Sequence, residues 1–269
     1  MMQTRSPLER LSAWLWAFLQ AERLGLLSGL LTGLAAHGFV MSNKLLNADE
    51  VTALFSKGAT IDSGRWALEL LRRVFPDVSL PWLWGLVSLV LVSLAACLTL
   101  RIFRIHHTLL RLLLPALFVS FPSLTGTFCF MFTSAPYALG FFLAALAVHR
   151  FAGAEKTWQR WLFGCGAMVF SLGIYQAYVA LSAGFFVLLM LQRLLEGEKA
   201  GKVFCFGLSA LGMLLLSLVV YYGISLLAVQ LSGGSFLLYS VEQQTGLLYR
   251  VALAYNAFVK SLVSGYFGF

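Results

Sequence analysis

Seven stretches of this sequence run for most of a membrane's thickness with almost no charge: about 24–41, 81–100, 112–131, 135–149, 161–174, 177–192 and 203–230. A bilayer core is roughly 30 Å thick and takes about 20 apolar residues as a helix. Within it the chain must satisfy its own backbone N–H and C=O groups, so runs of this length span as helices. The pattern predicts an all-α integral membrane protein of about seven transmembrane helices, with interfacial helices around them. Composition agrees. The chain is 60% hydrophobic and only 11% charged, whereas a soluble domain is about half apolar and a quarter charged.

The breaks between runs are legible. The segment 161–192 is too long for one untilted helix, and "SLGIYQAY" (Ser171–Tyr178) interrupts it with a glycine and polar groups. In "TSAPYALG", Pro136 is expected to end or start a helix, because proline removes a backbone donor and crowds the preceding turn. "SFPS" (Ser120–Ser123) reads as a kink in the third span. Leu8–Gln20 carries Trp14 and Trp16 but no small-residue cleavage site, so it reads as an interfacial helix rather than a signal peptide.

Lysine and arginine set the orientation. Arg5, Arg10 and Arg23 precede the first span; Arg101, Arg104 and Arg111 follow the second. Arg150, Lys156 and Arg160 follow the fourth, and Arg193, Lys199 and Lys202 the sixth. By the positive-inside rule the N-terminus is cytoplasmic, and loop 42–80 faces the other side, the periplasm in a bacterium. The net charge of +8 is thus a topology signal in short clusters, not a nucleic-acid-binding face. His106 and His107, beside Arg101, Arg104 and Arg111, read as a headgroup-facing patch. Cys97, Cys129, Cys165 and Cys205 each sit alone in an apolar segment, without metal or redox spacing. Two regions follow: a transmembrane domain over 1–230, and a periplasmic or interfacial tail over 231–269. The tail opens on the loop "LSGGS" and continues with helical spacing of Leu248, Val251, Tyr255, Phe258, Val259 and Leu262. Its ending, "SGYFGF", reads as the start of a longer C-terminal part.

Loop 42–80 concentrates charge in a chain that otherwise avoids it. Asp49 and Glu50 follow the first span closely, so they lie near the membrane surface. Asp62 or Ser63 is placed to cap a helix starting near Gly64. In that helix Trp66, Leu70, Leu71 and Val74 form an apolar stripe, opposite Arg65, Glu69, Arg72 and Arg73. Such a helix would lie flat at the interface with Trp66 as its anchor. The acids are either solvated loop residues or a base at the membrane surface; Arg72 and Arg73 suit lipid phosphates. Lys57 or Arg65 is suited to a phosphate, whose charge cations stabilise, and a neighbouring carboxylate can take a proton from an attacking hydroxyl.

These residues carry a resemblance. An acidic pair just after the first span looks like the GT-C glycosyltransferases, multi-span enzymes that use polyprenyl-phosphate sugars. More narrowly, "NADE", "SGRW", "SFPS" and "GIYQAY", in that order across about 40–230, resemble the bacterial Gtr-type glucosyltransferases that modify O-antigen and cause serotype conversion. The resemblance implies a polyprenyl-phosphate donor, undecaprenyl phosphate glucose, and an O-antigen or lipopolysaccharide acceptor on the periplasmic face of the inner membrane. It implies neither nucleic acid nor a soluble cofactor. By position, Asp49 is the acid/base candidate, with Glu50 as alternate or partner. Arg65 and Lys57 are donor-phosphate candidates, and Trp66, Tyr175 and Gln176 are substrate-pocket candidates. Trp66 is read either as a sugar platform or as a helix anchor, Tyr175 and Gln176 either as site residues or as caps of a helix break. Some GT-C members use a divalent cation, for which Asp49 with Glu50 offers oxygen ligands. Alternatives are a polysaccharide polymerase, a flippase or another lipid-linked-glycan protein, or an inactive truncated remnant.

Overall fold

The computed structural model describes residues 6–45, 48–53, 60–75, 80–153, 156–236, 246, 249, 251–253, 255–256 and 259–260. They form two compact units, Met1–Phe236 and Leu237–Phe269. In the second unit the described residues include short helical segments, among them 251–253.

The first unit is built of helices, and no strand occurs among the described residues. Two precede the charged loop: α1 (Pro7–Ala21) and α2 (Arg23–Ser42). The loop contributes α3 (Ala48–Ala53) and α4 (Trp66–Leu71). The remaining seven are α5 (Pro81–Ile102), α6 (Thr108–Ser120), α7 (Pro122–Cys129), α8 (Met131–Gly153), α9 (Thr157–Ile174), α10 (Tyr178–Leu195) and α11 (Ala200–Ser232). Among the described residues five of these, α2, α5, α8, α10 and α11, are long and apolar enough to cross a membrane. The pair α6–α7, bent by 45°, makes up to six. α9, whose first turn carries Gln159 and Arg160, is not in that count, so it stops short of seven. α1 starts with a capping box in which Ser6 and Glu9 satisfy each other's backbone N–H groups.

Two expected breaks appear where the sequence puts them. The chain turns between α9 and α10 at Tyr175–Ala177, and it bends between α6 and α7 at Phe121–Pro122. Pro136 is a correction: it lies inside α8, and the helix starts at Met131 instead. Pro136 frees the Phe132 carbonyl and crowds it, a cost that membrane helices tolerate because neighbouring groups take up the freed carbonyl.

Two of the helix contacts rely on small side chains. Ala95 and Ala96 of α5 and Ala144, Ala145 and Ala147 of α8 are fully buried. Without a hydrophobic drive between helices in lipid, close backbone approach supplies the attraction. α2 meets α5 through a glycine stripe: a Cβ at Gly29 would lie 2.5 Å from Ser93 Oγ, and one at Gly33 2.5 Å from Leu89 Cδ2. The apolar core runs through Leu98, Val148, Met168, Leu172 and Met213. At the end of the bundle formed by the α5 and α8 C-termini, buried Glu22 accepts from Arg101 Nε at 2.8 Å and from Arg111 Nη2 at 3.1 Å. Arg111 also donates to the carbonyl of Ala21, and the Arg101 guanidinium lies 4.2 Å over the Phe18 ring.

Candidate functional site

At the opposite end of the bundle, the loop after α3 folds back against α8, α9 and α11. A tight turn at Thr60–Arg65 is closed by backbone bonds from Gly64 N to Ile61 O (2.8 Å) and from Arg65 N to Thr60 O (2.9 Å). Gly64 has φ +76°, the left-handed region that costs any other residue strain. The turn is pinned from outside. Gln176 Nε2 donates to Ser63 O at 2.8 Å and to Tyr221 Oη at 2.7 Å. A Cβ on Gly64 would lie 2.5 Å from that same Tyr221 Oη. Glycine is therefore required twice over, for conformation and for space.

The pinned turn delivers Arg65 to a group of tyrosines. Its Nη1 donates to Tyr137 Oη at 3.2 Å, and its Cζ stands 5.2 Å over the Tyr175 ring. Tyr137 and Tyr175 have ring centroids 5.4 Å apart, and Tyr175 and Tyr178 5.5 Å apart. Tyr178 Oη donates to the Tyr137 carbonyl at 2.8 Å, tying α10 to α8. Among the described residues, Arg65 Nε and Trp66 Nε1 are buried donors with no hydrogen-bond partner. Buried donors without partners are rare and call for an occupant.

Asp49 is exposed in the first turn of α3. Glu50 is buried, with Lys44 Nζ 3.7 Å from its Oε1. Lys57 lies outside the described residues. No group of three His, Cys, Asp or Glu side chains able to hold a metal ion occurs among the described residues.

The helix expected near Gly64 differs in detail. It spans Trp66–Leu71 and has no side-chain cap at its start, because the Gly64 turn occupies that position. Its buried residues are Ala67 and Leu68, while Leu70 and Val74 are exposed. Trp66 does not anchor a surface-lying helix. It packs edge-on to Phe170 at 5.8 Å and against Gly173 of α9, where a Cβ would meet the indole at 2.6 Å. The helix is docked on α9 through Trp66. Arg72 pairs with Glu69 at 2.8 Å.

Of the expected residues, Arg65, Tyr175 and Gln176 come together, with Trp66 next to Arg65 in the chain. Tyr137 and Tyr221 are the site residues that sequence reasoning missed. Their signal is a tyrosine within an apolar run, which an intramembrane polar group makes worth weighing.

An apolar helical bundle with one charged, tyrosine-lined end defines a multi-span membrane protein with a polar site at the boundary of its spans. The glucosyl transferase GtrII family model matches residues 38–267, from the end of α2 through the whole of this site, and the chain belongs to that family. It is accordingly a glycosyltransferase. No curated protein and no solved structure gives a match.

Proposed function

We propose that the protein moves a glucosyl group from a polyprenyl-phosphate donor to an O-antigen or lipopolysaccharide acceptor at the periplasmic face of the bacterial inner membrane. The observation that carries this reading is the Arg65 guanidinium, fixed between Tyr137 and Tyr175 at the rim of the apolar bundle. A lipid donor enters sideways from the bilayer, and its phosphate meets Arg65. The buried Nε of Arg65 is a donor available to a phosphate oxygen. Tyr175 offers a partly exposed ring on which a sugar face can rest.

The chemistry then needs positioning and charge stabilisation rather than a strong catalyst, because the glycosyl phosphate is already activated. The acceptor hydroxyl attacks the anomeric carbon and gives its proton to Asp49. The bond from that carbon to the phosphate oxygen breaks, and polyprenyl phosphate leaves with the electron pair. Arg65 stabilises the charge growing on the leaving phosphate. Asp49 suits the base because it is exposed, whereas Glu50 is buried against Lys44.

Membranes carrying the native chain or Asp49→Asn, supplied with labelled polyprenyl-phosphate glucose and lipopolysaccharide, test the reading. Label should enter the glycan with the native chain and fall by about a hundredfold or more with the variant at equal membrane level, the range of general-base contributions. Equal transfer by both removes Asp49 as the base, and absence of transfer by the native chain overturns the donor and acceptor assignment.

A further inference from the structure

The far end of the bundle, away from Arg65, carries a cavity that the transferase reading does not use. Its volume is about 120 Å³, and it is walled by the C-terminal ends of α5, α8 and α10. Three arginines line it, Arg101, Arg104 and Arg193, against one acid, Glu196, with Gln192 and His149 between them.

We propose that this cavity binds the phosphodiester headgroup of an anionic, hydroxyl-bearing phospholipid. Four observations converge. The first is charge: the arginines outnumber the acid. The ion pairs Arg104–Glu196 (3.9 Å) and Arg193–Glu198 (3.8 Å) are both longer than a hydrogen bond, so these guanidinium donors are held near carboxylates without being used up by them. Arg101 commits its Nε to Glu22 at 2.8 Å, and a guanidinium has four further N–H groups.

The second is an orphan acceptor. Gln192 Nε2 donates to Glu196 Oε1 at 2.8 Å and to Phe103 O at 3.2 Å, which fixes its amide orientation. Its Oε1 is buried with no partner among the described residues. A phosphodiester has no donor to give it; a headgroup hydroxyl does.

The third is the backbone. Arg104 is the one non-glycine residue with positive φ (52°) among the described residues. Bonds from Arg104 N to Arg101 O (3.2 Å) and from Ile105 N to Leu100 O (2.8 Å) hold it there. Strain of this kind persists where the surroundings enforce it, and here it sets an exposed arginine at the cavity rim.

The fourth is what lies alongside. On α10, Leu189, Gln192, Arg193 and Glu196 share the helical face that lines the cavity. The adjacent face carries Leu188, Leu191 and Leu195, all exposed. An acyl chain can lie along those leucines while its headgroup occupies the cavity. Free inorganic phosphate would satisfy the arginines, and its P–OH could reach Gln192 Oε1, but it would leave the leucine face without a partner. Basic pockets between transmembrane helices are known headgroup sites.

Native mass spectrometry of the full chain in neutral detergent, with phosphatidylglycerol or phosphatidylcholine added, tests this. The wild type should retain phosphatidylglycerol selectively, and Arg104→Gln with Arg193→Gln should lower that selectivity roughly thirtyfold for two arginines. Arg23→Gln, an exposed arginine outside the cavity, should not change it. If the double variant loses its helical signal, Gln192→Leu replaces it: preference for phosphatidylglycerol over phosphatidylethanol, an anionic phosphodiester with no hydroxyl, should then fall. Equal retention of both lipids by the wild type, or unchanged selectivity in the variants, overturns the proposal. Displacement of the lipid by inorganic phosphate, with equal thermal stabilisation by phosphate alone, assigns the cavity to a free anion and overturns the lipid reading.

Discussion

Gly64→Ala isolates the turn that positions Arg65. Two costs follow from the structure. Alanine at φ +76° pays left-handed strain of roughly 1–2 kcal/mol. Its Cβ would also lie 2.5 Å from Tyr221 Oη and 3.2 Å from Gln176 Nε2, so the Gln176–Tyr221 bond must open, at about 1 kcal/mol. If the turn relaxes by letting Arg65 leave Tyr137, the sum of about 2–3 kcal/mol appears in the transfer barrier as roughly a 30- to 150-fold loss. The assay is transfer of labelled glucose by membranes matched for protein level. Tyr221→Phe supplies the diagnostic partner. In it the Cβ would face Cζ at 3.6 Å, an ordinary contact, and alone it should cost only the one hydrogen bond. The double variant should be no slower than Gly64→Ala, because the hydroxyl's bond is lost once in either background. Full additivity of the two losses, or wild-type transfer by Gly64→Ala, would refute the claim that this contact holds the turn.

Three further outcomes are expected. Arg65→Lys keeps the charge but not the planar fork that reaches Tyr137 and covers Tyr175, so transfer should fall by about 10- to 100-fold in the same assay; an unchanged rate would remove Arg65 from donor binding. Glu22→Gln takes the charge from between Arg101 and Arg111 and should destabilise the bundle by about 3 kcal/mol, read as an earlier unfolding midpoint in mixed micelles. Gly29→Val forces a side chain into Ser93 and should cost about 1–3 kcal/mol in that unfolding measurement, whereas Gly38→Val, which meets nothing within 4 Å, should be close to neutral.

The spans were legible because in a bilayer one variable decides them: uninterrupted apolar length. The same variable misled at Pro136. Proline marks a break by composition, yet a helix in a membrane bundle tolerates one, and the chain breaks at Phe130 just before α8. The α4 helix was misread for a related reason. Its leucine spacing allows more than one apolar face, and only Gly173 on α9, bare enough to admit the Trp66 indole, selects the face through Ala67 and Leu68. Local periodicity cannot carry that choice, because the selecting residue is more than a hundred positions away.

The site divides along the same line. Asp49, Arg65, Tyr175 and Gln176 stand out as polar groups at span ends, where they are costly and therefore informative. Tyr137 and Tyr221 look like ordinary members of apolar helices. Their role depends on Oη atoms meeting partners 72 and 45 positions away in sequence, at Arg65 and Gln176. This has a mechanical consequence. Gln176 sits in the turn between α9 and α10, Tyr221 on α11 and Ser63 in the loop, so a shift of α11 against α9 acts directly on the Gly64 turn and through it on Arg65. Control over Arg65 thus rests with residues that carry no charge themselves, and Tyr221→Phe tests that control without touching any charged group.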